Sequence, residues 1–266
     1  IYNYKTNDIG ARTEKYFGKK KTLGFFGCFI TYGHGLNEKE TFAYQVCEKQ
    51  KEDYEYLNFG VAGYSLYQSL LKFKEVLKEI KLDKAIFTVH KDLERRNTCS
   101  FSWLKIINQA WAVPGIIFLM GLKIKNKPRK YIKFPNFKIK IINLIEFLIN
   151  FFLYSFGDLK IVKKRTNEHI LKEIQKECEK NNIELIILCL DNINSLSEFL
   201  KENKFNWNFS GINLSEKNNK GESKWLLMPW DNHPNLKANM IFAEKILDDI
   251  ESSNRPYSPK LKVISE

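Results

Sequence analysis

Residues 183–190 (IELIILCL) hold one charged side chain and are otherwise apolar. An apolar run of that kind is what a central parallel strand requires, because both of its faces are covered and neither can be polar. Parallel neighbours are joined by crossovers, so the run commits the chain to helices alternating with strands. The N-terminal half supplies them. Residues 22–26 (TLGFF) and 54–59 read as strands, and 84–89 (KAIFTV) as a third. Gly27, Gly33 and Gly35 follow the first strand, and Gly60 and Gly63 follow the second. Residues 40–49 and 66–79 read as helices, the latter with Leu66, Leu70, Phe73 and Leu77 at helical spacing. Further on, residues 166–181 and 235–250 read as helices, with Pro234 near the first turn of the last.

The expected fold is therefore α/β: a three-layer α/β/α domain over residues 1–266, with a mostly parallel, flavodoxin-like sheet of about five strands. Residues 111–157 interrupt the alternation. A hairpin is expected over 111–133, followed by an apolar stretch, 141–156 (IINLIEFLINFFLYSF). Its polar residues Asn143, Glu146 and Asn150 form one narrow stripe, and it is shorter than the roughly 20 apolar residues of a bilayer span. The ordinary reading of this stretch is a core or packing helix. Residues 123–140 carry eight basic side chains and no acidic one. That run reads as a solvated face, or, together with the apolar stretch (123–156), as an anionic-membrane contact.

Lys and Arg number 43 against 31 Asp and Glu, a formal net charge of +12, which favours acidic partners. No RNA- or DNA-binding motif surrounds the basic run, so nucleic acid is not the expected partner. The five cysteines are scattered without a CxxC pair, which argues against a disulfide framework or a Cys-rich zinc site. No cofactor is implied, and the ligands are too few and too scattered to predict a metal site. Ile1 reads as a truncated or processed start.

Three segments fall where open α/β sheets place their sites, at the carboxyl ends of strands. They are Gly27-Cys28-Phe29-Ile30-Thr31-Tyr32-Gly33, Asn58-Phe59-Gly60-Val61-Ala62-Gly63-Tyr64-Ser65, and Asp231-Asn232-His233-Pro234-Asn235 before the last helix. With Asn7-Asp8-Ile9-Gly10-Ala11-Arg12 ahead of them and Gly33-His34-Gly35-Leu36-Asn37 between, the set resembles the SGNH (GDSL-type) hydrolase family. The resemblance spans most of the chain. It implies an esterase or O-acyl-ester hydrolase or transferase, acting on a small-molecule or glycan acyl ester through a serine nucleophile. On that resemblance His233 is the base, Asp231 the acid that orients it, and the Gly63 N–H an oxyanion donor. A bacterial cell envelope and a cytoplasm both fit such a protein.

The pattern fails at its centre. Phe29 stands at the nucleophile position, and a phenyl ring has neither a lone pair nor a proton to give. The oxyanion asparagine is also missing; Lys91 falls nearest its place. Cys28 neighbours the nucleophile position and is grouped with Gly63 and Lys91 as an oxyanion or binding residue, although its thiol is expected to point elsewhere. The expectation is a family member whose hydrolysis is lost or strongly impaired, or a module that binds an acyl or glycan group or docks on a membrane. Plainer roles stand beside these. Asp231 and His233 also suit a helix entry, Gly60 and Gly63 tight turns, Cys28 a small buried hydrophobe, and Thr31 a structural position. His90 and Lys91 read as a solvated strand end, His169 as exposed on its helix, and His34 as a ligand contact.

Overall fold

The structure, a computed structural model, describes residues 4–13, 16–107, 112–134, 140–191, 194–227 and 231–253. Ile1, Trp111 and Lys138 lie outside them. In chain order the elements are β1 (Lys21–Phe26), α1 (Phe29–Tyr32), α2 (Phe42–Lys49), β2 (Tyr54–Asn58), α3 (Leu66–Val76), β3 (Lys84–Val89), α4 (Leu93–Asn97) and α5 (Phe101–Ile107). There follow β4 (Val113–Leu119), β5 (Leu122–Arg129), α6 (Lys140–Tyr154), α7 (Lys160–Lys180), β6 (Glu184–Cys189), α8 (Asn194–Glu202), β7 (Trp207–Phe209) and α9 (Leu236–Ser253).

Five strands form one sheet in the order β2-β1-β3-β6-β7, with every pair parallel. The chain winds outward from β1 in both directions, so a crevice opens between the ends of β1 and β3. Successive side chains of β1 show how both faces are covered. Phe25 meets Phe42 of α2, which meets Phe242 of α9, at ring separations of 5.9 and 6.0 Å. Phe26 meets Phe73 of α3 and Phe87 of β3, both at 5.0 Å. The period of two in a strand sends neighbours to opposite faces, and each face finds an apolar helix.

The sequence expectations for β3 and for the 183–190 strand hold. Helix α7 begins six residues earlier than residue 166, because Ile161 and Val162 already extend its turns and Val162 is buried. The hairpin forms as β4 and β5, paired antiparallel. It meets α7, where the Phe118 N–H donates to Thr166 Oγ1 at 3.0 Å and the Phe118 ring stacks on His169 at 4.1 Å. His169 is thus half-covered, not exposed on its helix.

The larger correction concerns α6. It is not a core helix: within residues 140–154 only Asn150 is buried. Two of the three polar residues, Glu146 and Asn150, turn inward instead, while Asn143 in the first turn stays exposed. Asn150 accepts from the Ile132 N–H at 2.8 Å and donates to the Ile132 carbonyl at 2.7 Å, while Glu146 accepts from the Phe134 N–H at 2.8 Å. These bonds satisfy the backbone of the segment after β5, and the apolar side chains are left to face outward.

Candidate functional site

The first bend is built by close approach. After β1 the chain turns through Gly27 and Cys28 into the single turn α1, which Gly33 ends. The Thr31 hydroxyl points into the core and bonds Thr88 at 2.6 Å, the structural role expected of it. The second bend presses on the first. A Cβ at Gly60 would lie 2.3 Å from the Tyr32 nitrogen, so only glycine lets the two backbones meet. Asn58 locks them together: its Nδ2 donates to the Thr31 carbonyl at 2.8 Å and its Oδ1 accepts from the Gly60 N–H at 3.0 Å. Gly63 sits in the same bend with φ +80°, the left-handed region that favours glycine.

Arg12, from the lead-in segment, is buried and holds the loop beyond α1 from below. Its guanidinium donates to the carbonyls of Tyr32, of Gly33 at 2.7 Å, and of Leu36. It also lies over the Tyr4 and Tyr32 rings at 4.7 and 4.9 Å. That loop carries His34.

The third segment completes the arrangement. Asp231 Oδ1 accepts from the His233 backbone N–H at 2.9 Å and pairs with His233 Nδ1. The loop is held in place by Leu227 N–H donating to the His233 carbonyl at 2.8 Å. Burial lowers the His233 pKa against the pull of Asp231, so the ring is neutral at pH 7. Burial alone would raise the Asp231 carboxyl, but its two hydrogen bonds from His233 hold it below its ordinary value. With Nδ1 engaged, Nε2 is the nitrogen left to move a proton. This is a carboxylate–imidazole pair of the kind that serves general-base chemistry.

What faces that pair is a ring. The Phe29 centroid lies 4.4 Å from the His233 ring at an interplanar angle of 82°, an edge-on contact. Arg96, buried in α4, lies over the same phenyl at 5.0 Å and over Trp103 at 4.5 Å, with its Nε donating to Asp92 at 2.8 Å. Sequence reasoning missed Arg96. Its only local signal was the Asp92/Arg96 pair at i,i+4, which is common on exposed helices.

No nearby hydroxyl or thiol among the candidates takes the place of a serine. Thr31 bonds Thr88, Ser65 caps α3 by accepting from the Gln68 N–H at 3.1 Å, and Cys28 turns away to His90. Cys28 Sγ lies 3.1 Å from His90 Nε2, and both residues are buried. Burial pushes the Cys28 thiol up to about 11 and His90 down to about 3, so the pair is a neutral thiol beside a neutral imidazole. His90 is therefore not the solvated strand end that the sequence suggested; it is buried, with Cys28 and the Phe29 ring against it. Lys91 is exposed and its N–H donates to the Asp191 carboxylate at 2.9 Å. The structure records no contact between Lys91 and His233 among the described residues.

One group among the described residues has the composition of a metal site. His34, Asp231 and His233 each offer a ligand atom within 4.8 Å of the others. His34 Nε2 is 3.9 Å from Asp231 Oδ2, and the two imidazole rings are 4.4 Å apart. Donors around zinc at about 2.0–2.2 Å stand roughly 3.4 Å apart in a tetrahedron, so these side chains would have to draw together. The carboxylate is also already shared with His233.

No protein-family model matches the chain, and no curated protein matches it. Solved structures do. The psychrotrophic esterase EstA from Pseudoalteromonas sp. aligns over 88% of this chain and 99% of its own, at 11% identity and a TM-score of 0.50. A member of the lipolytic protein G-D-S-L family from Veillonella parvula aligns over 86% and 97%, at 12% identity and 0.47. A GDSL-like lipase from Bacteroides thetaiotaomicron aligns over 91% and 93%, at 12% identity and 0.46. The fold is that of the SGNH (GDSL-type) hydrolases.

Proposed function

We propose that this protein is an SGNH hydrolase-family member whose serine-type ester hydrolysis is lost or strongly impaired, and whose cleft now binds an acyl or glycan ester without cleaving it. One observation carries the reading. The Asp231–His233 pair is in place, and the group set against it is the Phe29 ring at 4.4 Å. A neutral imidazole beside a hydroxyl would draw off its proton; beside a phenyl it has nothing to activate. The oxyanion role of Gly63 and any binding role of Lys91 belong to the same proposal. Cys28 lends no nucleophile to it, because burial keeps its thiol protonated.

Loss of the covalent nucleophile costs about 10⁶ in a well-studied serine protease. Purified wild-type protein is therefore expected to hydrolyse short acyl esters at near-background rates. Phe29→Ser is expected to gain turnover that a second change, His233→Ala, removes. Wild-type turnover at ordinary enzyme rates, abolished by His233→Ala alone, would overturn the impairment. Saturable binding of a non-hydrolysable acyl phosphonate that Phe29→Asp abolishes is the result expected of a binding cleft.

A further inference from the structure

Helix α6 is amphipathic in the reverse of the usual sense. A helix on a soluble protein buries its apolar stripe and shows its polar one to water. Here Asn150 and Glu146 face the protein and bond the backbone of Ile132 and Phe134, while Ile141, Leu144, Leu148, Phe152 and Leu153 are exposed, Phe152 by 75%. Phe156, Leu159 and Ile161, next along the chain, are exposed as well. A contiguous patch of this kind marks a surface that another apolar phase covers.

We propose that α6 lies in the plane of an anionic lipid bilayer, with its outward apolar side chains below the headgroups. Charge selects lipid over a second copy of this chain. Residues 123–140 lead directly into the helix with eight basic side chains and no acidic one. Lys130, Lys133 and Lys140 of that run are exposed, as is Lys105, whose Nζ lies 5.5 Å over the Phe147 ring. Two copies meeting through this face would bring their cations together, whereas an anionic headgroup layer attracts cations that flank an apolar face.

The tethers select the orientation. Residues 140–158 have the length and composition of a spanning helix, with 11% of that window buried. But the middle of α6 is bonded to Ile132 through Asn150, and its far end is fixed as well. Asp158 accepts from the Ser102 N–H at 3.0 Å, and the Gly157 carbonyl accepts from the Thr98 hydroxyl at 2.9 Å. A spanning helix would tear these bonds and put Glu146 and Asn150 in hydrocarbon, where unsatisfied polar groups are not tolerated. Lying flat keeps every one of them.

The test is sedimentation of the full chain with vesicles of phosphatidylcholine, with and without phosphatidylglycerol. Wild type is expected to bind the anionic vesicles, at least tenfold more weakly at high salt, and the neutral ones weakly. Phe152→Asp with Leu148→Asp is expected to lose binding at all salts. Lys130→Glu with Lys133→Glu is expected to lose the preference for anionic lipid. Circular dichroism checks that the variants fold. Failure to bind any vesicle, equal binding to both compositions, or a Phe152-dependent dimer in sedimentation velocity without vesicle binding would each overturn the proposal. Ester hydrolysis and phosphonate binding rest on other residues, so those results stand or fall separately.

Discussion

The crevice at the end of β1 and the surface of α6 each place apolar side chains where polar ones are expected, and the surroundings differ completely. At the crevice, Phe29 is packed: His233 meets its edge and Arg96 its face. Its neighbours are polar groups with partners, from Asn58 on the Thr31 carbonyl to Arg12 on three others. At α6 the polar groups have partners too, but the apolar ones face outward. Phe29 is half-buried, and a ring braced by His233, His90 and Arg96 belongs to the fold it sits in. One supported only from behind is waiting for something outside the chain. The crevice should therefore answer mutation in stability, and α6 in association.

The sharpest test of the first half of that contrast is Arg12→Met. It removes the donor to the carbonyls of Tyr32, Gly33 and Leu36, and an unpaired buried acceptor costs about 1–3 kcal/mol. A loss of about 3–5 kcal/mol is expected in urea unfolding. A loss under 1 kcal/mol would mean that water replaces the guanidinium and the loop bearing His34 is not held from below. Gly60→Ala comes next. Its new methyl meets the Tyr32 nitrogen at 2.3 Å, backbone that has no room to give. A loss of about 2–3 kcal/mol is expected, near the top of the range for overpacking.

Much of the crevice was legible in the chain. The three glycine-bearing or His-bearing segments announce themselves because turns demand particular residues, and the covered strand at 184–189 because both of its faces demand apolar ones. What stayed hidden depends on long-range packing. The Cys28–His90 contact joins residues 62 apart, and His34 reaches Asp231 across most of the chain. Periodicity also cannot say which stripe of a helix faces in. The spacing of Asn143, Glu146 and Asn150 gave α6 a polar stripe, and ordinary experience put that stripe outside. The backbone N–H groups after β5, which take Glu146 and Asn150 as their acceptors, turned those two residues inward. The three-residue edge strand β7 is too short to leave a pattern, whereas α8 does leave one, with Leu196, Phe199 and Leu200 at i, i+3 and i+4 and all buried.

A pH titration separates the crevice from the rest of the molecule by a smaller effect. His90 titrates near 6.5 when unfolded and is pushed down to about 3 when folded, chiefly by burial and then by Arg96. Below pH 6.5 the unfolded chain takes up a proton that the folded chain refuses. Stability is therefore lost as pH falls from about 6.5 towards 3, at up to about 1.4 kcal/mol per unit. His233, lowered in the same sense, adds to the slope. His90→Asn should flatten the fall in Tm between pH 7 and 5 relative to wild type. Parallel curves would place the acid sensitivity elsewhere and leave the buried imidazole without consequence.

The smallest expected effect is the most discriminating for α6. Phe152 is 75% exposed, and nothing in the fold depends on its outer face. Phe152→Asp should change unfolding stability by no more than about 0.5 kcal/mol, the usual scale for a surface position. At the crevice a substitution of equal violence, such as Phe29→Asp, removes the ring that packs on His233 and Arg96 and should cost several times more. If Phe152→Asp instead destabilised the chain by 2 kcal/mol or more, its ring would be packed within the fold. The two regions would then obey one rule, and the outward face of α6 would need no partner.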